Sequence, residues 1–291
     1  MGMREILKGT VIYESGQKLN GLMMIMRGTA VVAFDGGFYE LHNGDVIGLP
    51  DLIHKEANFR YVAKENLAVV DYPSKVPELR KFFKEHGEAV HYFQSSLFRQ
   101  FNELLLRYKE VQTTCDMMQD YLTGSYENYM RICENNHISP GELERYEEFL
   151  DIPQEEKIPD WISGYYSTME QMLSVWDKNN TDMNFVIGFM SKTCDDMNRM
   201  AGLYGRMKDH IQEVCELLMN ESGLDLLELY VSLYEKIVKK NGLKDVSVIL
   251  VKKMLTGTLS QLEKQGYAQK EFFAARKADC ENRMAQIGEL V

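Results

Sequence analysis

The sequence predicts an α+β multidomain chain in which a small antiparallel β jelly roll is followed by a long connecting helix and an all-α C-terminal domain. Three patterns support this prediction. Residues 8–73 alternate short apolar runs with closely spaced glycines, residues 90–122 repeat an apolar residue every three or four positions, and the remainder carries helical periodicity. The predicted domains are therefore 1–75, 76–123 and 124–291.

The composition is that of a globular chain. With 291 residues, 45% of them hydrophobic and 26% charged, it can form one large or two ordinary domains, each with its own core. Met1–Lys8 lacks the apolar core of a signal peptide, and no run approaches the ~18 apolar residues of a membrane span. Five scattered cysteines without a CxxC pair are typical of reduced thiols. We therefore expect a cytoplasmic protein.

Negative charge is concentrated after the β segment. The first 75 residues carry 8 Lys and Arg against 9 Asp and Glu, so they contribute about −1 to the net charge of −11 and the rest contributes about −10. An acidic helical half repels phosphate backbones and anionic lipid surfaces. The sequence thus predicts that the partners of this protein include neither nucleic acid nor a membrane.

The β segment consists of apolar runs separated by turn residues. β-Branched and aromatic residues fill the runs, and Asp35-Gly36-Gly37 and Asn43-Gly44-Asp45 give clear turn signals. Helices do not tolerate so many glycines at short spacing. A small antiparallel barrel or jelly roll follows from this pattern. The runs are Thr10–Tyr13, Leu22–Met26, Ala30–Phe34, Val46–Ile47, Phe59–Ala63 and Leu67–Tyr72.

Short motifs occur in this segment in a distinctive order. They are Gly9-Thr10-Val11-Ile12-Tyr13, Ser15-Gly16, Leu22-Met23-Met24-Ile25-Met26-Arg27-Gly28-Thr29-Ala30, Gly44-Asp45-Val46-Ile47-Gly48 and, before a strand, Ala63. In this order the segment resembles the cyclic-nucleotide-binding domain of catabolite-activator (Crp/Fnr-type) proteins over residues 8–73, about a quarter of the chain. The resemblance also implies that the following helix dimerises, as it often does in that family. A cupin-like jelly roll is the alternative fold.

The ligand-binding motif departs from the family pattern. The resemblance implies a Glu directly after Gly-Asp-x-x-Gly, for the ribose hydroxyl, and an Arg about six residues before Ala63, for the phosphate. Leu49, after Gly48, and Ala57 stand at those positions. The candidate ligand-binding residues are therefore Gly48, Leu49 and Arg60, which lies three positions beyond the expected Arg. Either Arg60 replaces it through an unusual loop or, as the strand pattern favours, it is an ordinary exposed strand residue.

A long amphipathic helix is predicted over residues 90–122. At 1.5 Å per residue it would be roughly 50 Å long, more than one small domain needs. Its apolar seam has the spacing of a coiled coil with one extra four-residue step. We expect the helix to pair with a second copy, giving a homo-oligomer; the alternative is that it packs inside its own chain. The predicted interface residues are Leu97, Phe101, Leu104, Tyr108 and Val111.

Further helices flank this long helix. Val76–Glu85 precedes it, with a break at His86-Gly87, and the long helix is predicted to end near Gly124, before a separate piece at Tyr126–Glu134. Residues 151–160 (DIPQEEKIPD) are the best linker in the chain. Later helical patterns cover Met190–Leu218, with Gly202 and Gly205 allowing close approach or a bend, Leu226–Ile237 before a stop at Asn241-Gly242, and Lys244–Ile287 with breaks at Gly257 and Gly266.

No catalytic constellation is present in the sequence. Walker, dinucleotide-binding, HExxH and GxSxG motifs are absent, and no basic winged helix follows the long helix. His42 and His54, the histidines of the β segment, stand in turn-like contexts without the neighbouring ligands that a metal requires. We therefore predict no catalytic residue, no metal ligand and no cofactor, and an enzyme in the helical half has no residue support.

The predicted function is that of a non-enzymatic cytoplasmic regulatory or scaffold protein. It would use a degenerate cyclic-nucleotide-binding-like domain for interaction, while its helical domain docks an unidentified protein partner. The alternative is a sensor that binds a cyclic nucleotide or a related anion through Arg60 and transmits a signal to the helical domain. The ending Glu289-Leu290-Val291 has no stop character, so a longer protein also stays open.

Overall fold

The computed structural model describes residues 2–54, 56–141, 182–219 and 225–289. The predicted linker at 151–160 lies outside the described residues. Within the described helices, no stretch is long and apolar enough to cross a membrane.

Two four-stranded antiparallel sheets form the N-terminal part of the chain. The first has the strand order β1-β8-β3-β6 and the second the order β2-β7-β4-β5. The Asp35-Gly36-Gly37 turn joins β4 to β5 as predicted, with Phe34 opposite Gly37 in the register. The strands are β1 (Met3–Ile6), β2 (Val11–Tyr13), β3 (Leu22–Arg27), β4 (Ala30–Phe34), β5 (Gly37–Leu41), β6 (Val46–Ile47), β7 (Arg60–Ala63) and β8 (Leu67–Tyr72).

Strand β1 was not among the predicted strands. It pairs with β8, where Met3 lies opposite Val70 and Ile6 opposite Leu67. Of its four residues only Ile6 is buried. The strand forms through backbone pairing at the edge of a sheet, and its side chains lack the apolar alternation by which a strand is recognised in a sequence.

Six α-helices account for the rest of the described chain. Helix α1 has the predicted bounds, and the chain breaks before α2 at His86 as expected. A short 3-10 turn, Tyr267–Gln269, follows Gly266 as the predicted break requires. The helices are α1 (Val76–Glu85), α2 (Gly87–Asn135), α3 (Met183–Met219), α4 (Leu226–Asn241), α5 (Val246–Lys264) and α6 (Glu271–Glu289).

The breaks predicted at Gly124 and Gly257 were wrong. Helix α2 continues through Gly124, and its total length of 49 residues is roughly 74 Å. Helix α5 likewise continues through Gly257. A glycine costs a helix only about 1 kcal/mol, and buried residues beyond it, such as Tyr129 and Ile132, hold the helix together. At Gly257 the missing side chain has a use, because a Cβ there would lie 2.9 Å from the Tyr121 hydroxyl oxygen.

The described residues form two compact units that do not follow chain order. Unit 1 combines residues 2–112 with 182–208, and unit 2 combines residues 113–141 with 209–289. Unit 1 therefore contains both sheets, and the regular secondary structure in the described part of unit 2 is helical. The predicted division at 75/76 and 123/124 concerns stretches of continuous sequence, and it stays a prediction.

The five residues assigned to a dimer interface lie in the core of the single chain. Leu97, Phe101, Leu104, Tyr108 and Val111 are each 0–5% exposed. Helix α2 packs on α3 of the same unit, where the Phe98 and Phe189 rings lie edge to face with centroids 6.5 Å apart. This burial favours the alternative in which the helix packs inside its own chain. The assignment of these residues to an interface between two chains, and with it a homo-oligomer, stays a prediction.

Candidate functional site

The candidate site is the turn segment between β6 and β7, comprising residues 48–54 and 56–59, together with Arg60 at the start of β7. Gly48 opens it with a φ of 81° and leads into a 3-10 turn, Leu49–Asp51. This left-handed φ favours glycine, and a Cβ at Gly48 would lie 2.9 Å from Leu19 Cδ1, so the Leu19 side chain would have to move. The Leu49 side chain, at the position where the resemblance implies a Glu, is completely buried.

Ala57 stands where the resemblance implies the phosphate-binding Arg, so no guanidinium group is present at this position. Ala57 is completely buried, and its backbone is occupied on both sides: its N–H donates to the Gln17 carbonyl at 2.7 Å, and its carbonyl accepts from Gly16 N at 2.8 Å. Arg60 begins β7, and its side chain is about half exposed. Its Nε donates to Glu14 Oε2 at 2.8 Å, so an internal carboxylate already neutralises its charge.

Helix α3 makes direct hydrogen bonds to the turn segment. The Cys194 thiol donates to the Leu49 carbonyl at 3.2 Å, and Asn198 Nδ2 donates to the Pro50 carbonyl at 3.0 Å. Asn58 Nδ2 in turn donates to Asn198 Oδ1 at 2.6 Å. Burial raises the pKa of the Cys194 thiol far above its ordinary value, so the sulfur keeps its proton and remains a donor. A helix that lies more than a hundred residues further along the chain therefore closes this turn.

A buried carboxylate lies at the centre of the turn segment. Asp51 is completely buried; its Oδ1 accepts from Asn58 N and its Oδ2 from the Tyr61 hydroxyl, each at 2.8 Å. Burial raises the pKa of the Asp51 carboxyl from 3.8 to about 6, although both hydrogen bonds favour the charged form. At neutral pH the group is therefore mostly negative, and it disfavours an anionic ligand nearby.

The Asp51 carboxyl should make stability depend on pH. Because its folded pKa lies above the ordinary value, the folded state gains stability below about pH 4 and loses it as the pH rises through 6. Two pKa units correspond to about 3 kcal/mol. Urea unfolding is measured for the wild type and for Asp51→Asn at pH 7.0, 5.5 and 4.0. As the pH falls, the free energy of unfolding of the wild type should rise by up to that amount relative to the variant. A difference that stays constant across the three pH values would contradict this assignment.

Helix α2 fixes the beginning of the segment from the other side. Arg99 forms an ion pair with the buried Asp45 at 2.7 Å. Ser96 Oγ accepts from Val46 N at 2.8 Å, and Gln100 Nε2 donates to the Val46 carbonyl at 3.0 Å. Residues 45 and 46 of the Gly-Asp-x-x-Gly motif thus anchor the sheet to α2, which is a structural use of this motif.

A cavity of about 490 Å³ lies next to Arg60 within unit 1. The β4–β5 turn, the end of the turn segment and α3 form its walls. Its polar groups come from Ser15, Asp35, Asn58, Arg60 and Asn198, and Phe34 and Phe59 supply apolar surface. The cavity carries one acidic and one basic side chain, so its chemistry suits a small polar molecule better than a strongly charged one.

The structure keeps only part of the predicted site together. Gly48 and Leu49 belong to the closed turn, whereas Arg60 borders the cavity and is paired with Glu14. Cys194 and Asn198 were not predicted. Their spacing of four residues places them on one face of a helix, but nothing in the sequence connects that face with residues 49 and 50.

Comparisons with known proteins find related folds among solved structures. PKAR CBD2 with bound Sp-2Cl-cAMPS aligns with 17% identity and a TM-score of 0.27, over 31% of this chain and 62% of that structure. The catabolite activator protein of Thermus thermophilus aligns with 13% identity and a TM-score of 0.35, over 66% of this chain and 90% of that one. Oxidized CprK in complex with o-chlorophenolacetic acid aligns with 15% identity and a TM-score of 0.31, over 66% and 83%.

These solved structures are of the kind that the sequence motifs resemble. The solved structures similar to this chain include cyclic-nucleotide-binding domains and Crp/Fnr-type regulators. The chain spans less than two thirds of the length of the first structures it matches, 62% and 65%. No protein-family model and no curated protein matches it. The question of a ligand depends on the residues of this chain.

Proposed function

We propose that this chain is a non-enzymatic regulatory or scaffold protein whose cyclic-nucleotide-binding-like domain no longer binds a nucleotide and serves for interaction. One observation carries the proposal: the turn segment that would receive the ligand is hydrogen-bonded to α3 of the same chain, through Cys194 and Asn198. The helix thus stabilises this segment in the absence of a ligand.

The chemistry of the segment supports the same conclusion. A cyclic phosphate needs a guanidinium fork and backbone N–H groups around its negative charge. Here Leu49 and Ala57 replace the two ligand-binding side chains, and the buried Asp51 adds a negative charge close by. Each lost charge-assisted hydrogen bond is worth roughly 1.5–3 kcal/mol. Losing two of them weakens binding by roughly two to four orders of magnitude.

Cyclic nucleotides are therefore expected to bind no better than millimolar. Isothermal titration calorimetry with cyclic AMP and cyclic GMP, each up to about 1 mM, should give only heats of dilution, because neither the ribose nor the phosphate finds its partner. Micromolar binding of either nucleotide would refute the proposal.

The sensor function remains the second candidate, because a cavity of about 490 Å³ adjoins Arg60. If calorimetry does detect an anion, Arg60→Ala should abolish binding. Lys64→Ala is the matched control, since Lys64 is also a half-exposed cation of this sheet, paired with Glu40 at 2.6 Å. Equal loss in both variants, or none in Arg60→Ala, would remove Arg60 from the binding site.

The proposal also covers the architecture of each part of the chain and the compartment in which the protein works. We propose that the two sheets form a jelly roll, that residues 124–291 form an all-α domain and that the protein works in the cytoplasm. The five cysteines support the last point, since none forms a disulfide and all are buried. The helical part is proposed to dock a protein partner.

A further inference from the structure

The hairpin of α4 and α5 in unit 2 has the opposite charge to the rest of the chain. Residues 236–253 contain six lysines and a single acidic residue, Asp245. Without this stretch the net charge of the chain would be −16 instead of −11. All six lysines are exposed: Lys236, Lys239, Lys240, Lys244, Lys252 and Lys253.

Large apolar side chains lie among these lysines. Val246 is 69% exposed, Ile249 is 63% exposed and Leu243 is 39% exposed. Val246, Ile249, Leu250 and Lys253 have the i, i+3, i+4, i+7 spacing that places residues on one face of α5, and Leu243 lies in the turn just before this helix. We call the surface formed by Leu243, Val246, Ile249, Leu250 and Lys253 the hairpin patch.

Several of the lysines have no internal counter-charge. Lys239 is paired with Glu235, and Lys240 donates to the Asn136 carbonyl. No ion pair joins Lys244, Lys252 or Lys253 to an acidic side chain within the part of the chain that the structure describes. Exposed cations beside exposed apolar groups form a surface that is complementary to a partner with the opposite charge and an apolar face.

A groove continues from the hairpin patch. It has a volume of about 610 Å³ and runs between residues 120–128 of α2 and 250–260 of α5, both in unit 2. Leu250 and Lys253 belong to the patch and the groove alike, and Met254 adds apolar surface. On the α2 side Gly124 leaves the backbone open, whereas on the α5 side the Tyr121 ring lies against Gly257. Such a groove can receive the apolar side chains of a helix laid along it.

We propose that the hairpin patch and its groove bind an acidic amphipathic helix of a partner protein, with leucine-type side chains in the groove and carboxylates at the lysines. This deepens the regulatory function proposed above by naming the chemistry of its partner. An extended anionic surface fits less well, because a membrane or a nucleic acid would also meet the acidic remainder of the chain, whereas a short helix touches only the patch.

The test uses a defined peptide and the full chain. The probe is a fluorescein-labelled peptide of about 18 residues, with leucine at every third or fourth position and glutamate and alanine elsewhere; its control has the same composition with leucines spread around the helix. Fluorescence anisotropy should show binding of the first peptide in the micromolar range and at least about tenfold weaker binding of the second.

Charge-reversed variants then locate the site. Lys252→Glu/Lys253→Glu should weaken peptide binding by at least about tenfold, and Val246→Ser/Ile249→Ser should do the same at unchanged charge. Lys81→Glu/Lys84→Glu is the matched control, since it reverses two exposed lysines on α1, in unit 1, and should leave binding unchanged. Circular dichroism confirms that each variant is folded.

Three results would overturn this proposal. They are no peptide binding at about 100 μM, equal binding of the two peptides, and equal loss of binding in the α1 and α5 variants. Sedimentation with phosphatidylserine vesicles covers the remaining alternative: vesicle binding that needs Lys252 and Lys253, without peptide binding, would assign the patch to lipid. Because none of these assays involves nucleotide, their failure would leave the proposed loss of nucleotide binding untouched.

Discussion

Leu104→Glu should leave the chain unable to reach its native fold. Leu104 is completely buried on α2, and Phe101 and Tyr108, one turn to either side, are buried with it. The substitution loses the burial of a leucine, about 1.5–3 kcal/mol, and adds the desolvation of an unpaired carboxylate, which costs several kcal/mol more. Since domains of ordinary size are stable by about 5–15 kcal/mol, the sum removes most of the stability.

A control on the same helix shows whether the loss of stability comes from the burial of Leu104 or from placing a glutamate in α2. Leu106 is 49% exposed, so Leu106→Glu should change stability by no more than about 0.5 kcal/mol. Circular dichroism melts and static light scattering of both variants make the comparison. A Leu104→Glu protein that is well folded, but reduced from an oligomer to a monomer, would contradict the core assignment and restore the predicted pairing through this helix.

Arg276→Met should destabilise the helical unit by about 3–5 kcal/mol. Asp225 is completely buried at the N-cap of α4, where its Oδ1 accepts from Leu227 N at 2.8 Å. Its other carboxylate oxygen forms an ion pair with Arg276 of α6, whose side chain is 19% exposed. Removing the guanidinium leaves a buried carboxylate without its counter-ion, and this costs more than the pair itself contributes.

Two further variants make this result specific. Lys277→Met breaks the neighbouring pair with Glu263, in which both side chains are 39% exposed, and should cost no more than about 1 kcal/mol. Combining Arg276→Met with Asp225→Asn removes the uncompensated charge and should recover part of the lost stability while keeping an N-cap. Chemical denaturation measures the free energy of unfolding of each variant. An equal decrease in Arg276→Met and Lys277→Met would show that the buried pair is no stronger than a surface pair.

Local sequence signals were sufficient to predict an element whose turn residues and apolar spacing lie within the element itself. The hairpin turn at Gly36, helix α1 and the helix stop at Gly242 were predicted correctly because turn glycines and apolar spacing act over a few residues. Predictions failed where packing against residues far along the chain determines whether a helix ends. Glycine at 124 and 257 has the local preference of a helix end, but burial of the surrounding residues keeps both helices continuous.

The candidate site divides in the same way. Leu49 and Ala57 could be recognised because they occupy defined positions within a motif, and both are buried in the structure. The contacts of Cys194 and Asn198 with residues 49 and 50 could not, because 145 and 148 positions separate the partners and helix periodicity does not reveal what a polar face touches. The burial of Asp51 is likewise a tertiary property, because an Asp after a proline ordinarily indicates an exposed turn.

The order in which this chain leaves the ribosome bears on how it folds. Residues 2–112 emerge first, yet their compact unit also contains residues 182–208, which are synthesised only after the whole of α2 and the stretch that follows it. The hydrogen bonds from Cys194 and Asn198 to the turn segment can therefore form only after α3 has been synthesised. Such long-range closure slows folding, and it also means that no single uninterrupted fragment contains one unit without part of the other.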